Sequence, residues 1–293
     1  MTDIVNKTAD EDLDSINFAL LAEGLASEYG IDMTKAQTGG GERPLPAAGP
    51  CRLRFVGYVE TGKHEKMVMG KNKVQEAAIL LFEVSGPKHP PIVNQDGSTR
   101  PHIMYVDMPF SRNEKANIMK LFTRMNYAGK AKHIVGLLGE AFKGVIYHRT
   151  YKRADGSEGK AAELKSKETG YTIEAPRTED PETGDIITLQ VMKAVTPIKC
   201  FVWEKPSMAQ WKSIFVDGEW EERKGDDGKV LKAAASKNIY QAAIKKALNF
   251  EGSPTQQLLA AGGVKLDLPA AESGKAADTA GADDADPLSG IGT

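Results

Sequence analysis

The spacing of apolar positions changes near residue 50. Residues 12–29, DLDSINFALLAEGLASEY, set Leu13, Ile16, Leu20, Leu21 and Leu25 at helical intervals with acids between them, which predicts an amphipathic helix ended by Gly30. KAQTGGGERPLPAAGP (35–50) is rich in Gly and Pro and reads as a linker or extended arm. From Cys51 the pattern is that of short strands. CRLRFVGYVE, QEAAILLFEV and HIMYVDMPF carry β-branched and aromatic residues and are separated by GKHEKMVMGKNK (62–73) and SGPKHPPIVNQDGSTRP (85–101).

In SRNEKANIMKLFTRMNY (111–127), Ser111 followed by Glu114 forms a capping box, and Ile118, Met119, Leu121 and Phe122 supply the apolar face of a helix. LLGEAFKGVIYHRTYK (137–152) predicts a tight Gly turn and a fourth strand. RADGSEGK and RTEDPETGD have turn composition and flank a weak strand around 171–173, which predicts a hairpin insertion at about 154–186. IITLQVMKAV (186–195) is expected to be the last strand. FVWEKPSMAQWKSIFVDGEWEERKGDDG (201–228) holds all three tryptophans, and SKNIYQAAIKKALNF (236–250) predicts an amphipathic helix with Ser236 as N-cap and GSP (252–254) as its stop. From Gly262 the chain turns to Ala, Gly, Asp and Ser without apolar periodicity, so the tail is expected to be disordered.

Four segments follow from these shifts. They are an N-terminal helix and arm (1–49), a body (50–200), a Trp-rich and helical extension (201–261) and an acidic tail (262–293). Three strands, a helix and two further strands make the body mainly β within an α+β chain. That is the order of the five-stranded OB-fold barrel with its inserted helix, which binds nucleic acid on the strand 2–3 face; other α+β arrangements share the same order.

Charge sharpens the picture. The net charge of −2 conceals −6 over residues 1–49, +9 over residues 50–165 (20 basic against 11 acidic), zero over 166–250 and −5 over 251–293. A cationic body between acidic ends suits a polyanion ligand. No apolar run reaches the length of a membrane span, and the start MTDIVNKTADEDLD lacks the basic and apolar regions of a leader, so a cytoplasmic location without membrane association is expected. Cys51 and Cys200 are too few for a disulfide framework. His64, His89, His102, His133 and His148 show no metal-ligand spacing, and the glycines at 39–41 precede Glu-Arg-Pro, not the Lys of a phosphate loop. No catalytic constellation, cofactor or metal is therefore expected. Asp107 and Asp185 are the carboxylates a nuclease metal would use, although turn and surface roles suit them better.

Binding of a single nucleic-acid strand needs cations for phosphates and exposed aromatics for bases. In the first strand, alternation sets Leu53, Phe55 and Val59 on one face and Arg52, Arg54 and Tyr58 on the other. The second face is either a phosphate-and-base track or solvated arginines beside a tyrosine that closes the core. In the fourth strand, Tyr147, Arg149 and Tyr151 share a side and run into Lys152, as stacking platforms or as amphipathic residues of an edge strand. Lys63, Lys66, Lys71 and Lys73 lie in the loop joining the first two strands, where a cationic finger or a solvated edge are the two readings.

RLRFVGYVETG (52–62), AAILLFEVSG (77–86), SRNEKANIMKLF (111–122) and LLGEAFKGVIYH (137–148) resemble successive blocks of the OB-fold single-stranded-DNA-binding proteins of tailed phages, and VMKAVTPI (191–198) is similar to that family's closing strand. The resemblance covers residues 51–198. It implies a non-enzymatic protein that coats single-stranded DNA during phage replication and recombination in the host cytoplasm. Arg52, Arg54, Tyr58, the finger lysines and Tyr147, Arg149, Tyr151 and Lys152 would then line the groove. The tail, with Asp283, Asp284 and Asp286 before Pro287 and Leu288, resembles the C-terminal peptides by which such proteins recruit replication or recombination partners; its acids would also compete with DNA for the groove. The hairpin insertion at about 154–186 departs from the family's pattern and would either extend the groove or belong to a homo-oligomer contact. Two other classes stand beside it. One is a phage structural, self-associating protein acting through helices 12–29 and 236–250 without nucleic-acid binding, and the other is a metal-dependent nuclease.

Overall fold

A computed structural model describes residues 45–263 apart from 69, 95–96, 153–155, 225–227 and 229. The expected N-terminal helix at 12–29, most of the arm, and the acidic tail with Asp283, Asp284, Asp286, Pro287 and Leu288 lie outside the described residues. The described chain is mainly β, and its central sheet is built from antiparallel strands. The labelled strands are β1 (Gly49–Val68), β2 (Lys71–Ser85), β3 (His102–Pro109), β4 (Ala141–Lys152), β5 (Glu158–Glu163) and β6 (Lys199–Phe201). The order across the sheet is β3-β2-β1-β4-β5, with β6 running parallel to β1 at Gly57–Val59. Among the described residues no ladder joins β3 to β5, yet the sheet curls enough to bring these two outer strands within 8 Å between Cα atoms.

The strand pattern of the sequence is carried further than expected. GKHEKMVMGKNK is not a loop: β1 and β2 continue through it as a two-stranded ribbon paired out to Val68 and Lys71. The alternation in β1 also breaks. A register shift between Phe55 and Gly57 inserts one extra residue, and a bulge of this kind moves the side chains beyond it to the opposite face, until a second shift between Glu60 and Gly62 restores the original alternation. Leu53 and Phe55 point into an inner core, but beyond the bulge Tyr58 joins them there, while Val56 and Val59 face outward. The glycine is required at this point, because a Cβ on Gly57 would sit 2.7 Å from Leu81 Cδ1.

The inner core fills the concave side of the sheet and is closed by α1 (Asn117–Met125), through Ile118, Leu121 and Met125, and by the 3₁₀ turn Ile134–Leu137. The expected capping box is not formed. Ser111 Oγ accepts the amide of Asn113, and Asn113 Oδ1 accepts that of Lys115, so local turns compete with the helix until Ala116.

An outer core covers the convex side. Val56, Val59, Ile79 and Leu81 pack against Phe201, Trp203, Trp211, Ile214, Tyr240 and Ile244 of the C-terminal extension. Ala77–Val84 of β2 is consequently buried without interruption, as expected of a strand covered on both faces. The extension contributes α2 (Met208–Ser213), α3 (Ile239–Lys245) and α4 (Pro254–Ala261). The helix expected from 236 to 250 is shortened to α3, since Ser236 Oγ accepts the Asn238 amide in a turn. GSP is a start and not a stop: Ser253 Oγ caps the Gln256 amide and Pro254 occupies the first helical turn of α4.

The expected last strand at 186–195 is only partly formed. Ile186–Thr188 pairs with Arg177–Glu179 in a separate small hairpin, and residues 189–198 cross the sheet as an irregular strap. No helix among the described residues is long and apolar enough to cross a membrane.

Candidate nucleic-acid interface

The finger formed by the ends of β1 and β2 sorts its side chains by register. Lys66 stands opposite Lys73 and Val68 opposite Lys71, so Lys66, Lys71 and Lys73 share one face. Lys63, opposite Glu76, occupies the other face with Glu65, Met67 and Val74. Lys63 Nζ lies 3.9 Å from Glu76 Oε1, with both side chains about half exposed, and Lys66 Nζ is paired with Asp107 Oδ2 on β3. Lys71 and Lys73 are exposed and have no ion-pair partner among the described residues. The root of the finger is tied to the extension, because the Lys63 amide donates to Asn249 Oδ1 and the Leu248 amide donates to the Lys63 carbonyl.

β4 leaves β1 after Ile146 and pairs with β5, with Tyr147 opposite Glu163, Arg149 opposite Ala161 and Tyr151 opposite Gly159. Phe142 and Ile146 point into the inner core, so Lys143, Val145, Tyr147, Arg149 and Tyr151 share the other side of the strand. Tyr147 is 43% exposed. Arg149 places its guanidinium 5.5 Å from the centroid of the Tyr151 ring while its Nε donates to Glu163. Tyr151 lies across Gly159, where a Cβ would come within 2.6 Å of the ring. The strand pair thus displays one exposed tyrosine, one arginine placed over the ring of a second tyrosine, and exposed Lys152 at its end. This grouping was legible in the sequence. Lys143, two residues before Val145 on the same side, was not singled out, although the alternation carries it.

The first strand contributes less than its alternation suggested. Tyr58 is fully buried, because the bulge turned it inward, and its hydroxyl donates to Glu60 Oε1 at 2.8 Å. It is not available for stacking on a base. Arg54 is committed to the strap. Its Nε donates to the Met192 carbonyl at 3.0 Å and its two terminal nitrogens donate to Val191 (2.6 Å) and Gly139 (3.0 Å). Arg52 is half-buried between Ser85 and Lys143 of the neighbouring strands and makes no side-chain hydrogen bond among the described residues.

The face of the sheet that carries Val56, Val59, Ile79 and Leu81 is covered by Trp203 and Trp211, which are buried there; Trp220 is half-buried. The cover is latched by Glu60, 6% exposed, whose Oε2 accepts the Trp203 amide at 2.7 Å. Burial pushes the Glu60 carboxyl above its ordinary range, against the Trp203 amide, the Tyr58 hydroxyl and the nearby His133, which favour the charged form; Glu204 adds to the rise. The signal for this latch was a lone acid inside a strand otherwise apolar on that stretch.

Asp107 and Asp185 do not meet. The first is paired with Lys66, and the second accepts the Thr183 hydroxyl in its own turn. Among the described residues no group of three or more His, Cys, Asp or Glu side chains is arranged to hold a metal ion. Compared with protein-family models, curated proteins and solved structures, the chain matches none.

Proposed function

We propose that the protein binds single-stranded DNA, largely without regard to sequence, and coats it during phage replication and recombination. The observation that carries this reading is the row on β4, where exposed Tyr147 stands beside Arg149, whose guanidinium lies over the Tyr151 ring. Base stacking on such a platform is sequence-tolerant, since every base has a π-face, and contributes about 1–3 kcal/mol per base. The finger adds Lys71 and Lys73, exposed and unpaired among the described residues, for the phosphates.

An OB-like barrel is the architecture that this reading favours. The order of three antiparallel strands, a helix and a fourth strand pairing back onto β1 agrees with it, as does the curl that brings β3 and β5 together. The ligand path then runs along β4–β5 and the finger, because the C-terminal extension occupies the convex face of β1 and β2. The acidic tail would compete for the same cations or recruit replication proteins.

Anisotropy titration of a labelled dT oligonucleotide at two salt concentrations tests the function, because the buried Trp203 and Trp211 make intrinsic fluorescence a poor reporter. The expected result is tight binding at low salt, log affinity falling linearly with log salt, and preference for single strand over duplex. No binding at low salt, or equal affinity for duplex, overturns the reading.

A further inference from the structure

Away from the finger and the β4–β5 tip, an open groove of about 430 Å³ lies between the end of α1, the start of β4 and the small hairpin Arg177–Glu179/Ile186–Thr188. Its lining includes Arg124, Tyr127, Lys143 and Arg177, with Glu174 and Glu179 as its acids. Tyr127 is 42% exposed, and its ring is braced at 80° against buried Phe142, with centroids 6.0 Å apart. An aromatic ring fixed by the core yet open to solvent is a platform, since little ordering entropy is lost when a flat ligand lands on it. Three cations surround it. Arg177 is exposed and without a side-chain partner among the described residues, Arg124 donates one nitrogen to the Tyr171 carbonyl, and Lys143 is held only loosely, 3.8 Å from Glu174. Burial, then Glu140, raise the pKa of the Tyr127 phenol, while Arg177 and Arg54 act in the opposite sense. The groove volume is at the small end of ligand sites, the right scale for one nucleotide.

The groove is continuous with the β4 row. Lys143 belongs to both, and at about 3.3 Å per residue it stands about 13 Å from Tyr147 and about 26 Å from Tyr151 along one side of one strand. We propose that this groove is a nucleotide subsite at the far end of the single-strand path, with a base on Tyr127 and its phosphates on Arg177, Arg124 and Lys143. The proposal rests on the single-strand-binding reading and extends the path from the β4–β5 tip to the foot of α1.

Labelled dT oligonucleotides of graded length, titrated by anisotropy at low salt against the full chain, test it with the variants Tyr127→Ala, Tyr127→Phe and Arg177→Glu. The expected result is that Tyr127→Ala and Arg177→Glu each weaken binding of the longer oligonucleotides about tenfold, the effect of losing one stacked base or one phosphate contact. Short oligonucleotides, which the β4–β5 tip alone accommodates, should lose little, and Tyr127→Phe should bind as the parent does. Equal affinity at every length for parent and Arg177→Glu overturns the subsite while leaving single-strand binding intact. Failure of the parent itself to bind any oligonucleotide overturns the underlying reading instead. Arg177 is exposed, so its substitution decides the matter even where Tyr127→Ala does not fold.

Discussion

Arg54 and Glu83 face each other across β1 and β2 and fasten the same piece of chain by opposite chemistry. Arg54 donates to the carbonyls of Val191 and Met192, and Glu83 accepts the amides of Val195 and Thr196. An irregular strap over a sheet has no ladder to satisfy its backbone, and this charged pair replaces one. Arg54→Ala should therefore lower unfolding stability by about 2 kcal/mol, the scale of a charge-assisted bond lost with its acceptors stranded. Urea midpoints measure this. A salt slope of DNA binding unchanged from the parent would accompany it, since each guanidinium nitrogen of Arg54 already donates within the protein.

The finger should behave differently. Lys71→Ala and Lys73→Ala should each reduce the slope of log affinity against log salt by about 1, with stability unchanged. Lys66→Ala should reduce it less, because Lys66 is already neutralised by Asp107. Titrations at three salt concentrations separate these outcomes, and a full unit lost with Lys66→Ala would contradict the pairing.

Two tyrosines that the alternation of the sequence treats alike should separate in the test tube. Tyr147→Ala should weaken single-strand binding by about 1–3 kcal/mol and leave the melting temperature alone. Tyr58→Phe should leave binding alone and cost about 1 kcal/mol of stability, through the lost bond to Glu60. Parallel anisotropy and calorimetry on both variants check the contrast.

Glu60 gives a pH dependence of definite sign. Its carboxyl is raised above the ordinary glutamate value by burial. Between those two values the native chain therefore holds more protons than the unfolded chain, and stability falls as pH rises through that window and levels off above it. Glu60→Gln should remove this component of the slope, whereas Glu60→Ala, which strands the buried Trp203 amide, should cost about 1–3 kcal/mol at all pH values. Urea midpoints of parent and Glu60→Gln at several pH values decide; identical slopes would mean that the group does not titrate there.

Thiol chemistry offers an independent probe of the inner core. Burial pushes the Cys51 thiol up to about 12, and burial followed by the charge of Glu60 raises Cys200. Neither should react quickly with iodoacetamide at pH 8 in the native chain, and both should react in urea, as mass spectrometry of timed samples would show.

The strands at 51–60, 75–84 and 102–110 were legible because β-branched and aromatic residues cluster there between turn residues. The bulge was not, because it depends on how closely Leu81 of the neighbouring strand approaches; its one local sign was Gly57 inside a strand. The covered convex face was signalled by the uninterrupted apolar run of β2, which alternation counts treat as noise. The strap escaped because VMKAV has strand composition but lies over the face of the sheet, and what holds it are Arg54 and Glu83, far away in sequence. On β4, by contrast, simple alternation sufficed for Tyr147, Arg149 and Tyr151, since no bulge intervenes between Ala141 and Lys152.

The burial of β1 on both faces has a consequence for how the chain comes apart. The one strand serves as a party wall, with Phe55 and Tyr58 in one room and Val56 and Val59 in the other. Neither room can lose its wall alone. The residues before and after 200 should therefore melt together in one calorimetric transition, and a fragment ending at 200 should leave Val56, Val59, Ile79 and Leu81 facing water and associate through them.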